Sequence, residues 1–433
     1  MKKVLVITYY WPPSGGAGVQ RWLKFVKYLR SFGWEPVVYT PENPEYPETD
    51  ASLQRDIPDD LTVVRRPIWE PYDIYKKFIG GKKEDRIHAA FTSEKRRNPI
   101  LEHISVWIRG NFFIPDARAF WIRPSVAFLT RHLKENPVDA IVSTGPPHSM
   151  HLIARTVSSR LKIPWLADFR DPWTNIDFYR DLHLTSFADK KHRSLEHQVL
   201  SGASAVTVIG DGMALDFAKI VNRHYDVITN GFDPDDLTGP SEIRHDLKFS
   251  IAHIGTLSGS RNPETLWQSL HSLLEEIPAL AGDLEIKLVG KTDFSVLESV
   301  ERAGLTPYLS KISYLPHQEA VTCQRQSQLL LLIINDTPNA GMILTGKFFE
   351  YLAAGRPILC LGPEQGDAAS ILQETGAGIM IGYGDIERMK TYLRSCYRQF
   401  REGSIPYSVT SIEKYSRVEL TREMARVLDR VTG

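Results

Sequence analysis

The most specific chemistry in the sequence is carried by a lysine and a glutamate in the second half of the chain. Lys347 and Glu350 stand three residues apart, so on a helix both side chains lie on one face. Gly346 opens this segment, and a glycine at a helix start leaves backbone N–H groups accessible to phosphate oxygens. A lysine beside phosphate and a carboxylate that accepts from ribose hydroxyls would form a nucleotide site. The alternative is a solvated Lys–Glu pair on a helix surface.

A second candidate site lies near the start of the same half. Gly255 and Thr256 follow an apolar strand, and Arg261 stands just before a predicted helix. Small residues permit close approach of a ligand, and a guanidinium group suits a diphosphate because it binds in a bidentate manner. This segment therefore predicts a second part of an anion site.

Two loops in the first half carry a histidine, carboxylates and an arginine. His148 follows one apolar strand, and Asp168, Arg170 and Asp171 follow the next. Ligands of parallel sheets bind beyond the carboxyl ends of the strands, so these side chains are candidates for binding sugar hydroxyls and a phosphate. The alternatives are that His148 caps its helix and that Asp168 and Arg170 form a structural ion pair. His151 is predicted to lie on the helix surface or in the core.

A glycine cluster joins the first strand to the first helix, which is predicted from about 18 to 31. Gly15, Gly16 and Gly18 favour an anion at the helix N-terminus, although a turn that serves only tight packing remains an alternative. The cluster is not a dinucleotide fingerprint, because Arg21 occupies the position of the last glycine. The second strand also ends without the acid that binds a ribose, so we expect no NAD.

Short apolar strands alternate with amphipathic helices almost throughout the chain, which predicts an α/β fold with parallel sheets. Turn-forming residues from 230 to 240 interrupt this alternation and are interpreted as a linker between two doubly wound, Rossmann-like domains. The predicted boundaries are 1–235, with an insertion at about 69–131, then 241–405, then a helical tail at 406–433. A capping-box pattern at 416–419 marks the start of the tail helix. One strand of the second domain is predicted at 312–315.

Composition and charge exclude several classes of protein. The 52 basic and 52 acidic residues balance, which argues against a nucleic-acid partner. The three cysteines are scattered and lack the spacing of metal ligands, so we expect no metal site and a reducing, cytoplasmic setting. The apolar N-terminus is interpreted as a first strand rather than a signal peptide, and no apolar run is long enough to span a membrane.

A basic and aromatic segment suggests a peripheral location at an anionic membrane surface. Between Lys76 and Arg97, eight basic residues meet three acidic ones, and aromatic residues follow up to Trp121. Basic side chains are attracted to anionic lipid, and aromatic rings settle at the headgroup level. The alternative is a solvated basic loop followed by an ordinary packed helix.

Several motifs, in their order along the chain, match one family. The chain resembles retaining glycosyltransferase family 4, of the GT-B fold, along nearly its whole length, and within it the bacterial branch that builds surface polysaccharides. The motifs that carry the resemblance are 15–18, 144–148, 168–173, 230–233, 255–257 and 347–357.

The resemblance implies a nucleotide-sugar donor, a saccharide or lipid-linked saccharide acceptor, and no cofactor or metal. It implies that the first domain lies on the acceptor side, the second binds the donor, and a cleft separates them. Glu350 would bind the ribose, and Gly255, Thr256 and Gly346 would line the donor site near the cations. Arg261 and Lys347 would bind the diphosphate and His148 the donor sugar, with Gly15, Gly16 and Gly18 near the reacting centre. Arg170 and Asp171 are placed on the acceptor side, and Asp168 among the catalytic residues.

One departure from the family concerns the donor sugar. The carboxylate that usually touches this sugar stands eight residues before the ribose-binding glutamate, where this chain has Met342. Asp336 and Asn339 are candidates to replace it. The alternatives to retaining transfer are inversion with Asp168 or Asp171 as general base, a nucleotide-sugar epimerase of the same fold, and a non-catalytic assembly protein.

Overall fold

The chain folds into two compact units. The computed structural model describes residues 1–46, 49–70, 99–237, 243–313, 315–403, 405, 407 and 409–433. The N-terminal unit comprises Met1–Thr229 and Arg417–Gly433, and the C-terminal unit comprises Asn230–Ser416. The basic cluster between Lys76 and Arg97 lies outside the described residues.

The described part of the N-terminal unit contains a parallel sheet of seven strands. Their order is β3-β2-β1-β4-β5-β6-β7, so the direction of winding reverses between β1 and β4. The carboxyl ends next to such a reversal form the usual ligand-binding crevice of a doubly wound sheet. The strands are β1 (Lys2–Ile7), β2 (Trp34–Pro41), β3 (Thr62–Arg66), β4 (Ala140–Gly145), β5 (Trp165–Phe169), β6 (Ala205–Val208) and β7 (Asp226–Val227).

Helices connect these strands and bury their apolar faces against the sheet. In α1, Val19, Trp22, Leu23 and Val26 are buried at helical spacing, as the sequence predicts. Two of the helices, α2 and α3, belong to the predicted insertion. The helices are α1 (Ala17–Leu29), α2 (Pro99–Phe112), α3 (Ala119–Glu135), α4 (Ser149–Leu161), α5 (Ser186–Gly202) and α6 (Asp211–Ala218).

The C-terminal unit is built on a second parallel sheet, and its described residues contain six strands. The order is β10-β9-β8-β11-β12-β13, again with a reversal, here between β8 and β11. These two sheets with alternating helices confirm the predicted fold of two Rossmann-like domains. The strands are β8 (Phe249–Ile254), β9 (Leu284–Val289), β10 (Leu309–Ile312), β11 (Leu329–Ile333), β12 (Ile358–Leu361) and β13 (Gly378–Ile381).

The predicted strand at 312–315 is placed three residues too late. Strand β10 pairs its residues Leu309–Ile312 with β9 at the sheet edge, and the next helix begins at His317. Apolar residues continue beyond Ile312, which is why the sequence pattern points past the end of the strand.

The helices of the C-terminal unit enclose its sheet. Leu266, Leu270 and Leu273 of the first helix lie in the unit's main core cluster. The helices are α7 (Glu264–Glu276), α8 (Leu280–Asp283), α9 (Phe294–Arg302), α10 (His317–Gln326), α11 (Gly346–Ala353), α12 (Asp367–Thr375) and α13 (Ile386–Arg401).

The last helix returns to the N-terminal unit. Helix α14 (Arg417–Thr432) starts where the capping-box pattern predicts and packs against α1. Leu420, Met424 and Leu428 join the same core cluster as β1 and α1. The core of the N-terminal unit is thus built from both ends of the chain.

Candidate functional site

Gly255 and Lys347 lie against each other at the carboxyl end of β8. A Cβ atom on Gly255 would overlap Nζ and Cε of Lys347 and lie 3.4 Å from its Cδ. Gly255 also has a φ of +124°, a backbone conformation that favours glycine. The ammonium group of Lys347 therefore occupies space that only a glycine leaves open, and the structure brings these two predicted site residues together.

Arg261 joins the same edge of the sheet. Its Nε donates to Oδ1 of Asn335, which follows β11, the strand next to β8. Burial of His253, at the end of β8, lowers the pKa of its imidazole to about 3, and the positive charges of Lys347 and Arg261 add to this effect. Both cations therefore lie close enough to His253 to lower its pKa, which places them near the carboxyl end of β8.

Hydrogen bonds fix helix α11, which carries Lys347 and Glu350, to its neighbours. The backbone N–H of Ile254 donates to the hydroxyl of Tyr351 at 3.0 Å, which ties the helix to the end of β8. Nε2 of Gln324 donates to Oε2 of half-buried Glu350 at 3.1 Å. Glu350 is therefore held in place from α10 rather than forming a surface pair with Lys347.

The two candidate replacements for the missing donor-sugar carboxylate differ in their surroundings. Asn339 is buried and accepts a hydrogen bond from the Thr337 hydroxyl at 2.8 Å. Asp336 is exposed. Met342 is partly buried at the end of a 3-10 turn that starts at Ala340.

Asp168 is a fully buried acceptor at the end of β5. Its carboxylate forms an ion pair with Arg21 of α1 at 2.8 Å and accepts from the indole Nε1 of Trp22 at 2.7 Å. The hydroxyls of Thr144 and Thr207 donate at 3.0 and 2.8 Å. Burial alone would raise the pKa of Asp168, but the charge and hydrogen bonds of Arg21, with the other donors, lower it to about 2.

The ion-pair partner of Asp168 is Arg21, not Arg170 as the structural alternative supposes. Arg21 also donates to the carbonyl oxygens of Ile228 at 2.9 Å and Thr229 at 2.7 Å. Both oxygens of Asp168 are thus occupied by protein donors, and the side chain serves as a buried anchor between α1 and the strand ends.

Arg170 binds backbone carbonyl groups. Its Nη1 donates to the oxygen of Gly18 at 2.8 Å and its Nη2 to the oxygen of Pro146. A Cβ on Gly18 would lie 2.9 Å from this Nη1 atom, so glycine is required for the contact. Arg170 therefore links the first turn of α1 to the loop after β4, whereas the neighbouring Asp171 is exposed.

Two glycines before α1 differ in their surroundings. Gly16 precedes the first helical residue with a φ of +85°, and a Cβ there would meet nothing within 4 Å. Gly15 packs against Asp50, whose Cβ would lie 3.2 Å from a Cβ on the glycine. Gly16 thus has open space beside it, while Gly15 serves packing.

His148 lies at the start of α4 but does not cap it. The cap is Asp116, which accepts from the backbone N–H and the hydroxyl of Ser149 at 2.9 and 2.8 Å. The imidazole of His148 instead stacks on the indole of Trp173, with ring centroids 4.4 Å apart and planes 1° from parallel. His151, one turn later, is fully buried in the core.

The histidines of this site are neutral. Burial, followed by the nearby His151, His192 and Arg170, lowers the pKa of His148 well below its usual value. Burial likewise lowers the pKa of His151 to about 3. A positive charge here would be enclosed beside the guanidinium group of Arg170, which opposes protonation.

Sequence reasoning missed the residues that hold this site. Arg21, Trp173 and Asp116 each fix a predicted residue, but none lies in a recognisable spacing with its partner. Arg21 offers one signal: a charged residue directly before Trp22 on the apolar side of a helix needs a buried partner.

Among the described residues, no group of three or more His, Cys, Asp or Glu could hold a metal ion.

The two doubly wound units define the chain as a GT-B glycosyltransferase in fold. Similar structures include a glycosyltransferase from Rickettsia africae, 11% identical, with 100% of this chain and 93% of that chain covered and a TM-score of 0.57. WaaG, a glycosyltransferase involved in lipopolysaccharide biosynthesis, is 16% identical with 98% and 95% covered and a TM-score of 0.55. The lipopolysaccharide outer core galactosyltransferase WaaB is 12% identical with 99% of each chain covered and a TM-score of 0.57.

The family follows from the sequence itself. Residues 15–231 match the sequence model of the glycosyl transferase 4-like domain, and the chain belongs to this family. A comparison with curated proteins finds no significant match. No helix of the described residues is long and apolar enough to cross a membrane.

Proposed function

We propose that the protein transfers a sugar from a nucleotide-diphosphate donor to a saccharide or lipid-linked saccharide during cell-surface polysaccharide biosynthesis. The family supports glycosyl transfer, and the roles of WaaG and WaaB in lipopolysaccharide synthesis support this kind of acceptor. The observation that carries the proposal is the arrangement of Gly255, Lys347 and Arg261 at the end of β8. Two cations at the end of one strand suit a diphosphate.

The C-terminal unit binds the donor. Glu350 accepts hydrogen bonds from the ribose, and Arg261 and Lys347 stabilise the negative charge that develops on the leaving diphosphate. Gly346, Thr256 and the helix start supply backbone donors. The acceptor hydroxyl attacks the anomeric carbon on the face from which the diphosphate leaves, and the leaving phosphate oxygen takes its proton, so no dedicated base is required. The reaction proceeds with retention and without a metal.

The N-terminal unit binds the acceptor. The contacts of Asp168 argue against its use as a general base. Four side chains already donate hydrogen bonds to its carboxylate, and its pKa is low. Asp171 is exposed and remains the candidate base for an inverting reaction. Determination of the product anomer by NMR distinguishes retention from inversion.

The test is a panel of nucleotide sugars with purified protein, followed by matched variants. Lys347→Ala and Glu350→Ala should lose transfer activity, whereas Lys248→Ala and Glu298→Ala, at exposed positions of the same unit, should not. Donor turnover without acceptor would indicate an epimerase. Failure of every nucleotide sugar and nucleotide to raise the melting temperature would indicate a non-catalytic protein.

A peripheral membrane location is a second proposal, and exposed aromatic side chains support it. Trp107, Phe112 and Phe120 are 38%, 68% and 51% exposed on α2 and α3, and Trp69 is 55% exposed beside Phe120. Aromatic rings at a surface favour the headgroup region of a bilayer. Co-sedimentation with anionic liposomes should weaken in high salt and on replacing Trp107 and Phe112 with serine, while neutral liposomes should bind less.

The control for the membrane test lies in the other unit. Phe294 is 70% exposed on α9, so Phe294→Ser removes a comparable apolar surface without touching α2 or α3. Equal recovery of every variant in the supernatant, with and without anionic lipid, would contradict a membrane location.

A further inference from the structure

Trp173 is fixed from one helix before it contacts His148. Its indole Nε1 donates to Nδ1 of His192 on α5 at 3.1 Å. The next residue, Thr174, donates through its backbone N–H at 3.2 Å and its hydroxyl at 2.5 Å to Glu196, one turn further along α5. Trp173 is only 3% exposed. Helix α5 thus determines where the indole ring lies.

The fixed indole ring determines the orientation of His148. The two rings are parallel within 1° with centroids 4.4 Å apart, so rotation of the imidazole would break the stack. Phe169 lies on another side of the imidazole, with centroids 6.0 Å apart. His148 is 7% exposed, and its side chain therefore has one accessible edge rather than an open face.

The two nitrogen atoms of His148 have different surroundings. Nδ1 is enclosed without a hydrogen-bond partner, and a Cβ on Gly145 would lie 3.1 Å from it. A proton on Nδ1 would be a buried donor without an acceptor, which is costly and is seen less often than a buried acceptor without a donor. The proton of the neutral ring therefore belongs on Nε2, to which no described residue is hydrogen-bonded.

We propose that Trp173 is a positioning residue that holds His148 so that its Nε2–H donates to an oxygen atom of the bound substrate. This role rests on the proposed glycosyl transfer, in which His148 contacts an oxygen atom of a sugar. A donated hydrogen bond that is stronger in the transition state than in the bound substrate lowers the barrier to transfer. His148 acts as a donor and transfers no proton.

The groups around His148 keep it in this form. Burial keeps the pKa of His148 low, the neutral imidazoles of His151 on α4 and His192 on α5 offer it no negative partner, and the guanidinium group of Arg170 after β5 opposes a positive charge on its ring. Two acids of this unit are engaged elsewhere, since Asp168 pairs with Arg21 and Asp116 caps α4. Without the stacked indole, water would reach the ring and this opposition would weaken.

The first test does not require activity. Histidine labelled with 13C at Cε1 is followed by NMR from pH 8 to 5 in the full chain, with His148→Gln to assign the signal. His148 should not titrate in the wild type, should titrate at a higher pH in Trp173→Leu, and should stay close to the wild type in Trp173→Phe, which keeps the stack. A wild-type titration near the ordinary value of about 6.5, or an unchanged profile in Trp173→Leu, would overturn the positioning role.

The second test separates donor chemistry from packing. A glutamine amide can place an N–H near the Nε2 position of a histidine, while an asparagine amide reaches only the Nδ1 position. His148→Asn should lose about 100-fold in kcat, with KM for the donor little changed. The kcat of His148→Gln should be at least about tenfold higher than that of His148→Asn. Equal kcat for both variants would overturn the Nε2–H assignment.

A double variant completes the second test. Trp173→Leu should lower kcat strongly in the wild type but little in His148→Asn, because Trp173 acts through His148. Additive losses would overturn this coupling. If no nucleotide sugar supports transfer, the proposed function fails, and the NMR titration still decides whether Trp173 positions His148.

Discussion

Replacement of Gly255 by alanine should separate backbone strain from the loss of a positioned cation. A Cβ at this position would overlap the ammonium end of Lys347, which is a flexible group and can move aside at little cost in stability. The φ of +124° remains, and an alanine there costs about 1–3 kcal/mol in unfolding free energy. For a unit of this size we expect the melting temperature to fall by roughly 2–12 °C.

The loss of activity should exceed what this strain explains. Displacement of Lys347 removes a charge-assisted hydrogen bond to the leaving diphosphate, worth about 1.5–3 kcal/mol. This predicts a decrease in kcat of roughly 10- to 150-fold at a temperature where the variant is fully folded. The assay is steady-state transfer kinetics with the best donor of the panel, combined with thermal unfolding.

Gly403 provides the matched control. It lies in the same unit with a φ of +116°, but a Cβ there would meet nothing within 4 Å. Gly403→Ala should therefore lower the melting temperature by a similar amount and leave kcat unchanged. Wild-type kcat in Gly255→Ala, or an equal loss in Gly403→Ala, would refute the assignment of Lys347 to the leaving group.

Three further predictions concern binding and stability. Glu350→Ala should weaken nucleotide binding roughly 10- to 150-fold in calorimetry, a loss of about 1.5–3 kcal/mol, whereas Glu298→Ala should leave affinity unchanged. Asp168→Asn should lower the unfolding free energy by about 3–5 kcal/mol in denaturant titrations at pH 7. The folded pKa of Asp168 is about 2, so its contribution to the unfolding free energy is present at pH values above its pKa in the unfolded chain and should disappear as the pH falls from about 4 toward 2. An equal difference in unfolding free energy between wild type and variant at pH 3 and pH 7 would contradict this. Since His151 and His253, each with a folded pKa of about 3, bind protons only when unfolded, stability should fall below pH 6.5, by up to about 1.4 kcal/mol per pH unit for each. His151→Gln with His253→Gln should flatten this slope, and a parallel slope would show that other groups cause it.

The fold was predictable because its signals are local and repeated. Apolar strands alternate with helical spacing in both halves, and α1 and α14 begin within a residue of their predicted starts. The position of Gly255 was also within reach, since it directly follows β8 in a parallel sheet, whereas Lys347 lies in the first turn of α11 and its contact with Gly255 was not. The predicted position of strand β10 was wrong because apolar residues follow the strand, and an edge strand has fewer pairing constraints than a central one.

The contacts within the candidate site were not predictable from spacing. Arg21 and Asp168 are 147 residues apart in sequence, and only the packing of α1 on the sheet brings them together. The stack of Trp173 on His148 depends in turn on where α5 places His192. The sequence identifies side chains capable of binding, but it does not show which of them are already bonded to the protein.

Helix α14 makes the N-terminal unit the last to be completed during synthesis. Leu420, Met424 and Leu428 enter its core only after the ribosome has made all of Asn230–Ser416. Until then, α1 presents uncovered apolar side chains while the later unit can already fold on its own contiguous chain. A truncated chain that ends at Ser416 should therefore hold a protease-resistant C-terminal unit and a protease-sensitive N-terminal one, the reverse of the order in which their strands are translated.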